Sequence, residues 1–468
     1  MLKKYERPTL DTFAAPRASI EERLAAGKDL RKRLPRADHA HYAAPANRKD
    51  PVDILLAQAA TRVEKLVPIR HARMLTSPFA FYRGGAAIMA QDLEPTPVTG
   101  IRVQACGDAH LANFGVFASA ERNLVFGIND FDETIPGPWE WDLKRLAASI
   151  VLASRFLGAD KGVAESAVQS SVKSYREHMR EYADMGYLAL WYETIGEKRL
   201  MEALSPEVRK QAQKKLIARA KTRTNLQVLD SLTEMLDERR RIVEDRPLIV
   251  RETRNDKGVP IKEVLGQFLE AYLDSLTGDR RDLISRYRIL DVARKVVGVG
   301  SVGTRCWVIF MEGSSGDDPL FLQAKEAQPS ALAPYLETLT FNNEGRRVVH
   351  GQRLTQGSPD ILLGWGEVNG VHFYVRQLRD MKGSVEFDPD DWDEDRLLAY
   401  TMVCGWALAL AHAKSGDAAM IAGYVGNSGA MDDALVEFAE AYATQAEQDY
   451  ERMQAAAKAR KIKVSKVF

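Results

Sequence analysis

Apolar residues change their spacing several times along this chain, and each change predicts an element. From Val52 to Val67 they recur at helical spacing, and Pro68 follows, which predicts a helix closing there. Gly84 to Leu93 reads as a second short helix, ahead of a loop carrying Pro95 and Pro97. The period then falls towards two. Ile101 to Ala105 is strand-like, and Phe114–Phe117 and Leu124–Ile128 flank the polar turn Ala120–Asn123 as in a hairpin. Trp141 to Leu157 returns to a helix with one apolar face.

Residues 164–290 read as mostly helical and heavily charged. From Val296 to Val385 strand signals dominate, with Trp307–Met311, Leu320–Ala324 and Val371–Val375 running between Gly, Ser and Asp turns. A helix is expected from about Asn343, and residues 391–413 and 429–458 are helical again. Residues 1–50, rich in Pro, Arg and Ala, form an irregular or partly helical lead-in.

Charge narrows the function classes. The 468 residues carry 65 Lys plus Arg and 65 Asp plus Glu, which argues against a surface built for nucleic acid or anionic lipid. The basic stretch Pro206–Thr224 has no interleaved aromatic residues and reads as a solvated helix face. Cys106, Cys306 and Cys404 lie too far apart in sequence for a disulfide framework or structural zinc site. The N-terminus has no signal-peptide core, and no window approaches the roughly 20 apolar residues of a membrane helix, so a cytoplasmic protein is expected.

Two segments carry chemistry. The first is Gly107-Asp-Ala-His-Leu-Ala-Asn-Phe-Gly115, followed by Ile128-Asn-Asp-Phe-Asp-Glu133. Asp108 and Asn113 are spaced like the base and the metal-binding amide of a kinase catalytic loop. A hairpin between Phe114 and Ile128 would return Asp130 to face Asn113, giving the oxygen ligands magnesium requires, with Asp132 a further ligand. His110 is a candidate base or an orienting neighbour. Turn-forming Asp and Asn residues are the structural alternative. A two-metal phosphoesterase would need further His-rich loops, and the sequence has no Gly-Asn-His segment. Asp142 opens the next helix, placed to cap it or to brace the loop.

The second segment is Gly298-Val-Gly-Ser-Val-Gly303, where Gly298, Gly300, Ser301 and Gly303 would let backbone amides approach phosphates. The strand that follows, in place of a helix, argues against a dinucleotide fold. A further strand then ends at Lys325, a candidate phosphate ligand, so the order is strand, glycine loop, strand, lysine strand. Glu344 is the nearest helix acid to hold that lysine, and Glu326 is its rival. Arg83 is either a phosphate contact or a plain helix arginine.

The chain is identified as a member of the bacterial domain-of-unknown-function 2252 family on Ser77–Gly84, Gly107–Gly115, Asn129–Asp142 and Arg376–Lys382, a resemblance running from about residue 50 to 450. Residues 107–113 and 130–132 are also similar to the catalytic and metal loops of aminoglycoside phosphotransferases and other kinase-like enzymes. That likeness implies Asp108 as catalytic base, Asn113 and Asp130 as magnesium ligands, and Asp142 as the loop-bracing acid. It gives Lys325 and the 298–303 loop the phosphate grip. The acidic loop precedes the glycine loop by about 190 residues, the reverse of kinase order. A circular permutation would explain this, with Leu397–His412 as the helix before the catalytic loop.

The expected fold is therefore α+β: a two-lobed, kinase-like arrangement in permuted order. Residues 1–50 form the lead-in, 51–290 a helical lobe with the acidic loops, 291–385 a small antiparallel sheet lobe, and 386–468 the completing helices. The expected function is ATP- and magnesium-dependent phosphoryl transfer to a hydroxyl on a small molecule or protein. The alternatives are an inactive nucleotide-binding regulatory module and nucleotidyl transfer.

Overall fold

A computed structural model describes residues 10–254, 258–336, 341–378, 381 and 383–465. Its largest hydrophobic cluster surrounds the helix Trp139–Phe156, which starts directly after Pro138 and is buried along its length to Ser154. Lys161–Ala183, Glu394–Ser415 and Ala430–Lys458 pack around it. A helix buried on every side anchors whatever its first turn holds.

A two-stranded antiparallel pair and a four-stranded antiparallel sheet, in the order 383–384, 114–118, 124–128, 195–196, sit against this cluster. Arg102–Ala105 pairs with Ile135–Pro138, and Phe114–Ala118 with Leu124–Ile128. Residues 106–113 and 129–134 are the loops between these strands, so both are fixed at each end.

A six-stranded antiparallel sheet forms the second layer. Its order is 364–368, 371–377, 319–326, 306–312, 288–295, 249–250. Strand alternation separates its faces. Ile309 and Met311 pack with Phe268 and Tyr272, whereas Val308 and Phe310 pack with Val228 and Ile242. Phe310 and Phe321 stack with centroids 4.7 Å apart. The glycine segment connects the 288–295 and 306–312 strands. The helix Glu344–Gln356, capped by the Asn343 side chain, packs on the sheet and on the 394–415 helix.

The mixed α+β class agrees with the sequence, and several elements need correction. The helix expected over 52–67 stops at Ala59, and a new helix spans Val67–Met74. Pro68 sits in its first turn, where a missing N–H costs nothing, so it starts a helix instead of ending one. The 164–290 region is not all helix. It contains the hairpin 233–236/239–242 and contributes strands 249–250 and 288–295 to the sheet. The sheet therefore begins before residue 291. Among the described residues one helix, Glu394–Ser415, is long and apolar enough to cross a membrane, contrary to the sequence expectation. Its apolar window is 72% buried, as befits a helix at the centre of the core. Arg379, Asp380 and Lys382 of the Arg376–Lys382 motif lie outside the described residues.

Candidate functional site

The acidic loop is held from beneath by Asp142, in the first turn of the buried helix. Its carboxylate accepts the N–H groups of Cys106 at 2.6 Å and Gly107 at 2.9 Å. His412 Nε2 lies 3.2 Å from the same carboxylate and Tyr175 OH 2.9 Å from His412 Nδ1. A buried carboxylate with several donors is a rigid fixture, and it fixes the backbone immediately before Asp108. Gly107 has φ +77°, and a Cβ there would collide with the Glu133 carbonyl, so the two acidic loops touch where only glycine fits.

Asp108 is clamped by Arg145 from the same helix. Arg145 Nε donates to Asp108 Oδ1 at 2.6 Å, and Nη2 lies 2.5 Å from that oxygen. Burial pushes the Asp108 carboxyl above its ordinary range, and Arg145 opposes the shift. His110 Nε2 is 3.8 Å from Asp108 Oδ2, beyond hydrogen-bond distance. Burial, with Arg83 and Arg145 nearby, holds the imidazole well below its usual pKa and therefore neutral.

The Asn113 amide locks the two loops together. Its Nδ2 donates to the carbonyls of Asp108 and Asp130, each at 3.0 Å, and its Oδ1 accepts the Asp130 N–H at 2.8 Å. This side chain is spent mainly on positioning Asp130, with one oxygen lone pair left over.

The sheet meets these loops through Lys325, which is 2% exposed. Its Nζ lies 3.2 Å from Asp130 Oδ2 and is also paired with Asp132. Asp132 accepts from Ser301 Oγ of the glycine segment at 3.1 Å and from Tyr374 OH at 2.8 Å. The two aspartates raise the Lys325 pKa well above normal despite burial, so it stays charged. Neither acid proposed to hold it does so. Glu344 is tied to Arg347 one helical turn away at 2.5 Å. Glu326, on the same strand, accepts from Arg305 N at 2.9 Å and Arg305 Nη1 at 3.2 Å. Adjacent strand residues point to opposite sides, so Glu326 turns away from the lysine beside it.

These parts line one cavity of about 240 Å³. Asp108, His110, Asn113, Asp130 and Asp132 border it, as do Gly298, Gly300, Ser301 and Arg83. Lys325 reaches it through its two aspartates. Gly303 lies apart from the cavity border, against the Arg62 side chain, where a Cβ would come within 3.0 Å. Among the described residues, no group of three or more His, Cys, Asp or Glu side chains forms a metal cage.

The model of the family described as "Uncharacterized protein conserved in bacteria (DUF2252)" matches residues 62–456. The chain belongs to that family. No curated protein and no solved structure matches it.

Several residues at the site of this DUF2252 chain escape a reading of its motifs. Arg145 stands three positions after Asp142, on the same helix face, and that spacing was its available signal. Tyr374 pairs with Lys325 in strand register, which only the sheet alignment reveals. Glu133, Arg62 and Arg70 also border the cavity. Burial raises the Glu133 carboxyl to about 6. Arg62 and Arg70 come from the segment before the first motif and carry no local pattern.

Proposed function

We propose that this protein is an ATP- and magnesium-dependent phosphotransferase acting on a hydroxyl acceptor, built on a permuted kinase-like plan. The observation that carries the reading is the convergence on Lys325. A buried lysine on the second strand after a glycine loop meets the two aspartates that follow the Asp108–Asn113 loop. The succession of strand, glycine segment, strand, lysine strand, helix and two strands supports the same plan. So does the brace of Asp142 under the loop.

The donor set suits magnesium and phosphate. Asp130 and Asp132 offer hard anionic oxygens at the cavity, and Lys325 offers a fixed positive charge. Asp130 and Asp132 would hold the metal, with Asn113 ordering Asp130 through its backbone. When bound, magnesium neutralises phosphate charge. Lys325 would exchange a carboxylate for a phosphate oxygen, and the glycine segment would place amides beside the phosphates. Asp108, kept ionised by Arg145, would accept and orient the acceptor hydroxyl through Oδ2. Catalysis would then rest on alignment and electrostatics. A cytoplasmic location fits a reaction that draws on ATP.

The Arg145 clamp on Asp108 favours one further reading, a nucleotide-binding module without transfer, because the clamp stabilises the charged form and weakens a base. Incubation with ATP labelled in the γ- or α-phosphate, against a panel of hydroxyl acceptors, separates the cases. Transfer of the γ label is the expected result. Transfer of the α label would replace phosphoryl by nucleotidyl transfer, and binding without transfer of either would favour the module.

A further inference from the structure

Arginines from the N-terminal segment, Arg62, Arg70 and Arg83, also line this cavity. Arg70 is 1% exposed, and its Nη2 donates to Gln58 Oε1 and the Gly84 carbonyl, each at 3.0 Å. Its Nε and Nη1 are buried and have no hydrogen-bond partner. Arg62 gives Nη1 to the Val302 carbonyl at 2.6 Å and leaves its buried Nε unpartnered. Arg83 likewise has a buried, unpartnered Nε. All three border the same cavity, and among the described residues none of them has a carboxylate within ion-pair distance.

This arrangement is costly unless something answers it. A guanidinium stays protonated in proteins, and a buried, unpaired charge is among the most destabilising groups a fold can hold. Burial is the main influence on all three groups and opposes their charge. The carboxylates that border the cavity are otherwise engaged: Asp130 and Asp132 with Lys325, Asp108 with Arg145, Glu326 with Arg305, and Glu133 with the Ala331 N–H. A planar fork of N–H donors matches the paired oxygens of phosphates and carboxylates bidentately.

We propose that Arg62, Arg70 and Arg83 form a phosphate-binding subsite in the cavity, made of side chains separate from the Lys325 grip. It deepens the phosphotransferase reading in one respect, that the group bound there lies next to Asp108. The subsite itself stands on the arginine geometry whether or not ATP is the donor. The phosphate has two possible sources: an ester on the acceptor, or the nucleotide chain itself. Gly300 and Gly303 keep the subsite compact. A Cβ at Gly300 would lie 3.3 Å from the Arg83 carbonyl, and the Gly303 carbonyl accepts the Val63 N–H at 2.8 Å.

The test is calorimetric titration of inorganic phosphate, without magnesium, into the full-length protein and into Arg70→Met and Arg83→Gln. The native chain is expected to bind phosphate saturably, and each substitution to weaken binding at least tenfold. Circular dichroism checks each variant's fold, and Arg83→Gln, at a half-buried position, keeps the test valid if Arg70→Met fails to fold. No saturable binding by the native chain, or undiminished binding in a folded Arg83→Gln, would overturn the subsite. Repeating the titration with saturating Mg-ATP assigns the source. Retained phosphate binding points to an acceptor phosphate, and competitive displacement to a nucleotide phosphate. If phosphate binds at the arginines while Mg-ATP does not bind at all, the subsite stands and the nucleotide reading falls.

Discussion

The ammonium of Lys325 lies 3.2 Å from the carboxylate of Asp130, although 195 residues separate them in the chain. The contact joins the six-stranded sheet to the 129–134 loop, and Asp132 of the same loop also pairs with the lysine. The proposed nucleotide site depends on that junction. Lys325→Met is expected to fold and to lose nucleotide binding. Removing both acids in Asp130→Ala/Asp132→Ala leaves the lysine charged and buried. It should lower unfolding stability by about 3–5 kcal/mol, as for a broken buried ion pair. Urea denaturation of both variants checks this. A double variant as stable as the native chain would show the lysine to be solvated.

Asp142→Ala removes the acceptor for the Cys106 and Gly107 N–H groups and the partner of His412. A stability loss of about 2–4 kcal/mol is expected, from charged hydrogen bonds worth roughly 1.5–3 kcal/mol each with partial relaxation. Asp142→Asn keeps one acceptor oxygen and should lose less. Chemical denaturation followed by circular dichroism measures the order. Equal losses would remove the brace from the account.

Glycine substitutions separate the two loops. At Gly107, φ is +77° and an added Cβ meets the Glu133 carbonyl, so Gly107→Ala should cost at least the roughly 1–3 kcal/mol of a strained backbone position and disturb Asp108. At Gly300 the nearest atom would be 3.3 Å away, and Gly300→Ala should change stability by less than about 1 kcal/mol. Thermal melts of the pair should differ clearly, with Gly107→Ala the lower.

Lys144, fully buried in the Trp139–Phe156 helix, has its pKa lowered by burial to about 8 from an ordinary 10.5. The unfolded chain binds this proton more tightly than the folded one. The resulting penalty is complete below pH 8 and is relieved as pH rises from 8 towards 10.5. At roughly 1.4 kcal/mol per unit the penalty is on the order of 3 kcal/mol. Lys144→Met should therefore be more stable than the native chain at pH 7, and the gap should narrow by pH 10. Denaturation curves at both pH values check the sign. A gap that widens with pH would contradict it.

How far the sequence reveals this molecule depends on the range of each interaction. The Phe114–Ile128 hairpin, the strands at 306–312 and 319–326 and a helix starting near Asn343 follow from local period and turn chemistry, and all are present. Asn113 meeting Asp130 follows from the hairpin itself. Proximity in sequence points to Glu344 or Glu326 as the partner of Lys325, whereas the actual partners, Asp130 and Asp132, arrive across the fold. Pro68 is ambiguous in sequence because proline both opens and closes helices, and here it opens one. The arginine wall had no pattern to detect. Arg62 and Arg70 become neighbours of the acidic loops only when the N-terminal helices dock on the glycine segment.

The central claim is that the Lys325–Asp130–Asp132 junction is a magnesium–nucleotide site. Titration of Mg-ATP into the native protein and into Asp130→Ala, followed by isothermal calorimetry, tests it most directly. Saturable binding by the native chain, weakened at least tenfold in Asp130→Ala, is the expected result. No binding of Mg-ATP by the native chain, or binding unchanged by the substitution, would contradict it.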